Sequence, residues 1–501
     1  MNKYKFWNVL FKLFPIRFGL FIINLLVMTN VFAQSDDYKS VDSLTTDSYF
    51  RKDWSTLNKT GKLALQSGID YYYLRMRLGI ASYEQRNYAI AEKHFRKALL
   101  FNQYDVNAQS YLAGSLLESF RLTEAGHVFN RSTPTAKQFI PIRKGFRLSA
   151  IHSDFGMITR NGNRALQFKT LAGESAVYGQ QRVYGGSRIF DAGAFLQLRP
   201  NLMYYIGYQL IDTKVTDRFA YIETFMKRDS TAVFDWGSAH YYEVDTLQKT
   251  IDFEHLINQK SVYMQAQWSP SSRLSLTAGG QLIRIRQTNT YAEQSTYQAI
   301  DTAYYITATD SVAMFTLDLN RMVFQQDTTT HLDWATSIKA NYTFGKLEAL
   351  AGFNFSSLNG NKIKQYTLGF CYLPFGNKDL YNQTEVIALD NSSTTNIILK
   401  EIVGIKLLSP VWFEIRLLMG NIDRYSDQGA YIVYNSPELV HLRIEPTIFV
   451  IVSKHLWLQL SYKYQKAESF YYSAIPNLTQ LSENSINNQS YSIIGGIKWI
   501  M

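Results

Sequence analysis

Val411-Trp412-Phe413-Glu414-Ile415-Arg416-Leu417-Leu418-Met419 is the stretch that decides the fold of this chain. Val411, Phe413, Ile415, Leu417 and Met419 share one parity, and Trp412, Glu414, Arg416 and Leu418 the other. Successive side chains of an extended strand point to opposite faces. One face here is therefore wholly apolar, while the other carries charge. Leu456, Leu458, Leu460, Tyr462 and Tyr464 repeat the pattern against Trp457, Gln459, Ser461 and Lys463. Working outward, strand-length segments of this kind are predicted near 145–157, 187–198, 202–214, 257–268, 273–287, 331–344, 347–357, 361–373, 380–389, 396–408, 411–420, 441–452, 455–466 and 489–501. A further hairpin over 163–185 would raise the count from fourteen to sixteen.

The connections alternate in length. Short turns fall at Pro200-Asn201, Pro270-Ser271-Ser272, Gly345-Lys346, Pro374 to Asp379, Ser409-Pro410 and Ser453-Lys454, where Pro and Gly suit turn angles. Long, largely acidic connectors are expected at 215–256 and 288–330, with another at 466–488, and alternating stretches such as Ala303–Thr307 and Val312–Leu317 leave open that strands extend above the membrane there. An even number of amphipathic strands with alternating short turns and long loops is the pattern of an outer-membrane β-barrel. The last strand agrees: Tyr491, Ile493, Gly495, Ile497, Trp499 and Met501 form one face running to the terminus. A mean hydropathy of −0.18 is too polar for a bundle of membrane helices, and a barrel with a polar lumen escapes that objection.

Parity names the lumen-facing candidates as Gln265, Gln267, Lys339, Glu348, Lys400, Lys406, Glu414, Arg416, Arg443, Glu445, Lys463 and Lys498. Opposite charges often stand two apart on one strand, which fits either a paired network filling the barrel or a lined conduit. In 273–287 the apolar parity of Leu274 and Leu276 runs on into Arg284 and Arg286. Either a bulge at Gly279-Gly280 shifts the register, or these arginines stand beyond the lipid.

Residues 1–33 read as a signal peptide, with a basic start, an apolar run from Phe18 to Val27, and Val31-Phe32-Ala33 before the cut. Removing its four cations lowers the formal charge from +10 to +6, which gives no argument for nucleic acid. The single cysteine, Cys371, excludes an internal disulfide and is predicted to face the lumen.

Residues 34–130 differ in texture. Leu78-Gly79, Tyr83, Tyr88, Ala91, Phe95 and Ala98 are matched 34 residues later by Leu112-Ala113, Ala125 and Phe129, and earlier by Trp54, Leu57 and Ala64. This spacing resembles the tetratricopeptide family, in which small residues let paired helices approach closely. The resemblance implies a periplasmic helical domain whose packing residues are Leu78, Gly79, Tyr83, Ala91, Phe95 and Ala98. Residues 131–142 are expected to be a linker and 143–501 the barrel.

The resulting fold class is α + β multidomain: helical repeats, then an antiparallel transmembrane barrel of about 14–16 strands. No phosphate loop, zinc-protease helix or nucleophile elbow occurs, so no catalytic residue, cofactor or metal is expected. Signal peptide, repeats and barrel in this order resemble polysaccharide-export porins and, more loosely, YaiO-like barrels. That resemblance implies a Gram-negative outer-membrane conduit for a polymer such as an exopolysaccharide, with the repeats holding a periplasmic protein partner. The alternative is a non-transporting scaffold or anchor in the same membrane.

Overall fold

The computed structural model describes residues 38–161, 165–172, 178–234, 237–305, 311–391, 394–427, 429–433, 438–474 and 481–501. The leader expected over 1–33 lies outside the described residues.

Six helices form three hairpins: Tyr38–Phe50 with Trp54–Gln66, Tyr72–Glu84 with Tyr88–Phe101, and Val106–Glu118 with Leu122–Arg131. Each hairpin begins 34 residues after the last. Lys52, Arg86 and Phe120, at equivalent points of the three turns, all take φ between 57° and 59°, so the period extends to backbone dihedrals. Asp53 and Asp105 cap their helices, accepting from Thr56 N at 3.0 Å and Ala108 N at 2.6 Å. Phe95 is fully buried against Gly79, where a Cβ would come within 2.6 Å of its ring. Leu78 instead fills a gap beside Gly61 of the preceding hairpin. Ala91 and Ala98 are fully buried, and Tyr83 stacks edge-on against Tyr88 and Tyr111. The stretch 131–142, read from sequence as linker, contains a further short helix, Pro134–Phe139, started by the Thr133 side chain.

The barrel strands are β1 (Arg147–Asn161), β2 (Tyr178–Arg199), β3 (Leu202–Phe234), β4 (Gly237–Trp268), β5 (Leu274–Tyr305), β6 (Ser311–Phe344), β7 (Leu347–Leu358), β8 (Asn361–Tyr372), β9 (Leu380–Asp390), β10 (Thr395–Leu408), β11 (Val411–Ile422), β14 (Leu439–Ile451), β15 (Leu456–Ala474) and β16 (Leu481–Ile500). Two short strands, β12 (Ser426–Asp427) and β13 (Ile432–Val433), pair only with each other. Among the described residues the fourteen long strands run up and down and close by pairing β1 with β16, so the barrel wall has no open edge. The additional hairpin considered for 163–185 is not formed by its described residues, which give a short helix, Phe168–Ala172, and the start of β2.

Two expectations need correction. The stretch 466–488 is mostly strand, with β15 and β16 paired as far as Ala474 and Leu481, and 215–256 and 288–330 are not loops either: β3 with β4, and β5 with β6, stay paired nearly to their tips. These strands have 32 to 34 residues against 11 to 14 in β7–β11. They run on for roughly twenty residues, on the order of 65 Å, past their shorter neighbours. Apolar alternation fades there because no lipid face is needed. The hairpins are held instead by Phe219, Phe253 and Phe324, with ring centroids 5.2–6.0 Å apart. Secondly, β5 has no bulge at Gly279-Gly280: its register against β4 and β6 runs unbroken through these two glycines. Arg284 and Arg286 are on the outer face, while Ile283 and Ile285 are buried inside.

Outside, the barrel is apolar. Leu282, Ile338, Leu368, Val386, Ile405, Leu460 and Ile497 are all between 39% and 68% exposed. Trp268, Tyr342, Phe344, Tyr372 and Trp499 stand on the same surface toward the short-turn end. So much exposed apolar surface on a closed barrel needs lipid around it. Met419 and Ile415 lie on this face, opposite Glu414 and Arg416, as the opening stretch predicts.

Candidate functional site: a lumen crossed by an inserted segment

The connection from β11 to β14 folds into the barrel. Tyr425, Ser426, Asp427 and Ala430 are each 2% exposed or less. Their neighbourhood is the inner wall on several sides. Lys400 of β10 donates to Asp427 at 2.6 Å and lies 3.6 Å from Glu385 of β9. Asn354 of β7 and Gln365 of β8 donate to the Ser426 carbonyl at 3.3 and 2.9 Å. The Tyr263 hydroxyl of β4 donates to the Gly429 carbonyl at 2.9 Å. Tyr431 receives a hydrogen bond from Tyr205 of β3 at 3.2 Å and donates to Asp191 of β2. The segment thus spans the lumen from one wall to the other. Beneath its apolar residues lies an internal core that includes Ile283, Leu358, Ile387, Leu418, Ile422 and Val440. Sequence parity placed Leu418 on the charged face, and its complete burial shows that this face meets protein rather than water at that level.

The lumen candidates fall on either side of this crossing, and most are paired. Lys339 sits 4.0 Å from Glu385. Glu348 accepts from Asn341 at 2.5 Å. Glu414, Arg416, Glu445 and Lys463 form a chain with separations of 3.2, 3.4 and 3.5 Å. Arg443, only 1% exposed, donates to Gln465 at 2.9 Å. Lys406 lies 4.4 Å over the Trp412 ring and 3.9 Å from Asp379. Lys498 lies over Phe195 at 4.7 Å. Gln265 Oε1 lies 2.7 Å from the Tyr263 hydroxyl, and Gln267 donates to Ser275 at 3.0 Å. Cys371 is buried on the inner face, opposite Glu348.

Cavities remain on both sides of the segment. Toward the long-loop end there are two, of about 690 and 670 Å³, lined by Arg182, Asp217, Asn289 and Asp423 and by Arg160, Gln259, His331 and Asp333. Toward the short-turn end, one of about 400 Å³ holds Arg416, Glu445 and Lys463. Another, of about 360 Å³, is walled by Tyr381, Trp412, Phe449, Trp457 and, from the helical domain, Phe120.

The helical domain is seated on the short turns. Arg96 and Arg121 both donate to the Ser272 carbonyl, at 2.7 and 3.0 Å, and both pair with Glu92. Ala89 N donates to Gly376 O at 2.9 Å, Asn377 donates to Arg86 O at 2.9 Å, and Ser269 donates to Thr123 at 2.8 Å. Gly126 lies so near the Pro200 carbonyl that a Cβ would overlap it. Within the basic stretch Lys93, His94, Arg96 and Lys97, Arg96 reaches the barrel at Ser272. His94 is turned into the helical core against Arg75, whose Nη1 approaches its Nδ1 at 3.3 Å. Burial first, and the Arg75 charge second, push His94 down to about 4.

A closed, even-stranded antiparallel meander with an apolar exterior, a charged lumen, short turns at one end and long hairpins at the other defines a β-barrel of the outer-membrane type. A helical domain precedes it. No protein-family model matches the sequence, and no curated protein matches it. Among solved structures the chain is similar to the toluene transporter TodX of Pseudomonas putida, at 8% identity and a TM-score of 0.36, over 73% of this chain and 91% of that one. It is also similar to CdiB from Acinetobacter baumannii, at 7% identity and a TM-score of 0.27, over 69% and 60%. A third is OmpF of Salmonella typhi in complex with daunomycin, at 9% identity and a TM-score of 0.26, over 70% and 98%.

Proposed function

We propose that this protein is an outer-membrane conduit closed at rest by the segment between β11 and β14, with its tetratricopeptide-like helices in the periplasm at the mouth. The passenger is a polymer such as an exopolysaccharide, and the helices also hold a periplasmic protein partner. The observation that carries this reading is the aromatic-walled cavity shared by Phe120 of the helices and Trp412, Trp457, Phe449 and Tyr381 of the barrel. Flat aromatic rings beside Glu414 and Gln383 offer apolar sugar faces a stacking surface and sugar hydroxyls a partner. The helices are placed to deliver a chain into that cavity. Among its described residues the inserted segment is tied mainly by side-chain hydrogen bonds, with a two-residue ladder of its own, so it can be displaced without breaking the barrel.

A non-transporting scaffold is the second reading, favoured by the same segment and by the paired charges beside it. Single-channel recording in planar bilayers separates the two. The conduit reading expects a quiet full-length barrel and steady conductance once residues 424–437 are replaced by a short Gly-Ser turn. A barrel that folds without the segment and stays silent would remove the conduit and leave the scaffold.

A further inference from the structure

The inner wall brings together three groups that the sequence separates. His152 and Asp154 are two apart on β1 and share the lumen face, and Asp191 of β2 lies directly across from Asp154. One donor atom from each lies within 4.8 Å of the others. His152 Nδ1 is 3.8 Å from Asp191 Oδ1 and 4.0 Å from Asp154 Oδ2, too far for a hydrogen bond to either.

Donor and acceptor accounting fixes the protons. An ionised Asp191 can only accept, so the Tyr431 hydroxyl donates to it. The Tyr431 oxygen then receives the Tyr205 proton, at 3.2 Å. The Tyr205 oxygen, 2.7 Å from His152 Nε2, must therefore accept from it. A neutral His152 carries its proton on Nε2 and turns a bare lone pair on Nδ1 toward two carboxylates. With both carboxylates ionised, no proton lies between His152 Nδ1 and either of them, although the Tyr431 hydroxyl already engages Asp191 Oδ1, in a wall where Asp191 is 4% exposed. Such an arrangement is stabilised by a cation. The cavity of about 400 Å³ reaches His152 and Asp154, which gives an ion an entry path.

We propose that His152, Asp154 and Asp191 bind a divalent first-row transition-metal ion of the zinc class. One imidazole and two carboxylates suit such an ion better than calcium or magnesium, which prefer oxygen alone. Tetrahedral ligands at zinc distances stand about 3.4 Å apart, so the imidazole and each carboxylate need close in by roughly half an ångström. Tyr205 on the far imidazole nitrogen is the outer partner that orients a metal-binding histidine. Tyr431 belongs to the inserted segment, so an ion on Asp191 competes with one of the ties that hold the segment across the lumen. Lys498, opposite His152 across the β1–β16 pair, opposes the ion with its charge.

The test is a Co²⁺ titration of the full-length protein, free of any polyhistidine tag, in detergent after stripping with EDTA. Visible absorption reports the nitrogen and oxygen ligands, and Zn²⁺ competition reports affinity. One saturable equivalent is expected, weakened by about tenfold or more in His152→Ala and Asp191→Asn. Lys498→Gln and Tyr431→Phe should both tighten it. A wild-type protein that takes up no equivalent, or one that His152→Ala takes up equally well, overturns the site. If His152→Ala does not refold, unchanged affinity in both Lys498→Gln and Tyr431→Phe overturns it. Binding is read without any current, so its failure is distinct from failure of the conduit.

Discussion

Lys400 joins the inserted segment to the barrel wall through charge. It is 4% exposed and stands between Asp427 of the inserted segment and Glu385 of the wall. Removing one member of a buried ion pair leaves the other uncompensated, at about 3–5 kcal/mol. Lys400→Met should therefore loosen the segment, seen as flickering conductance and a lower urea midpoint, and the double change with Asp427→Leu should recover most of the stability. A second residue-scale effect lies in the helices. His94 is held neutral when folded, with its proton affinity lowered from an ordinary 6.5 to about 4. The unfolded chain thus binds the extra proton first, and stability falls as pH drops from 6.5 through 4, by up to about 3 kcal/mol. The Arg75 hydrogen bond lowers Asp70 below the usual carboxylate range, which adds loss in the same direction at still lower pH. Urea titrations followed by helical circular dichroism between pH 4 and 7 should show this slope, and His94→Gln should flatten it.

Among the elements, the inserted segment and the two long hairpins place opposite demands on the sequence. Replacing residues 424–437 by a short turn should leave the barrel folded, judged by gel mobility before and after heating, because neighbouring strands keep their ladders. The hairpin β5–β6 continues its ladder to Tyr305 and Ser311, far past the end of β7. Cutting it back should cost the barrel little, since its outer part packs on the β3–β4 hairpin rather than on the lumen wall. The strands within the barrel proper were legible because a lipid face and a lumen face force strict alternation. The hairpin extensions showed only in short alternating stretches such as Val312–Leu317, because outside the membrane nothing demands an apolar side, and acidic residues read as loop. Leu418 and Ile422 continue the charged parity of β11 and yet are buried, which the strand alone gives no means of telling.

For the whole molecule, the helices and the barrel meet through backbone carbonyls and small residues. Gly126→Ala should push the helical domain off the β2–β3 turn, at about 1–3 kcal/mol. Limited proteolysis near residue 142 should then be faster, with the barrel itself unchanged. If the helices also restrict the mouth, the same variant raises the conductance of a barrel already lacking the inserted segment.

The period of two, the alternation of turn lengths and the 34-residue repeat are local properties, and the sequence alone determined from them an antiparallel barrel preceded by paired helices. Parity likewise put Lys400, Glu414, Arg416, Arg443, Glu445 and Lys463 on the inner face. Only the tertiary structure decided what fills that face. The inserted segment reaches partners on β2, β3, β4, β7, β8 and β10, as far as 240 residues apart in the chain. His152 meets Asp191 only because β1 lies in register beside β2. Contacts of this kind are set by the closure of the sheet and by where a loop turns inward, and no short pattern of residues encodes either.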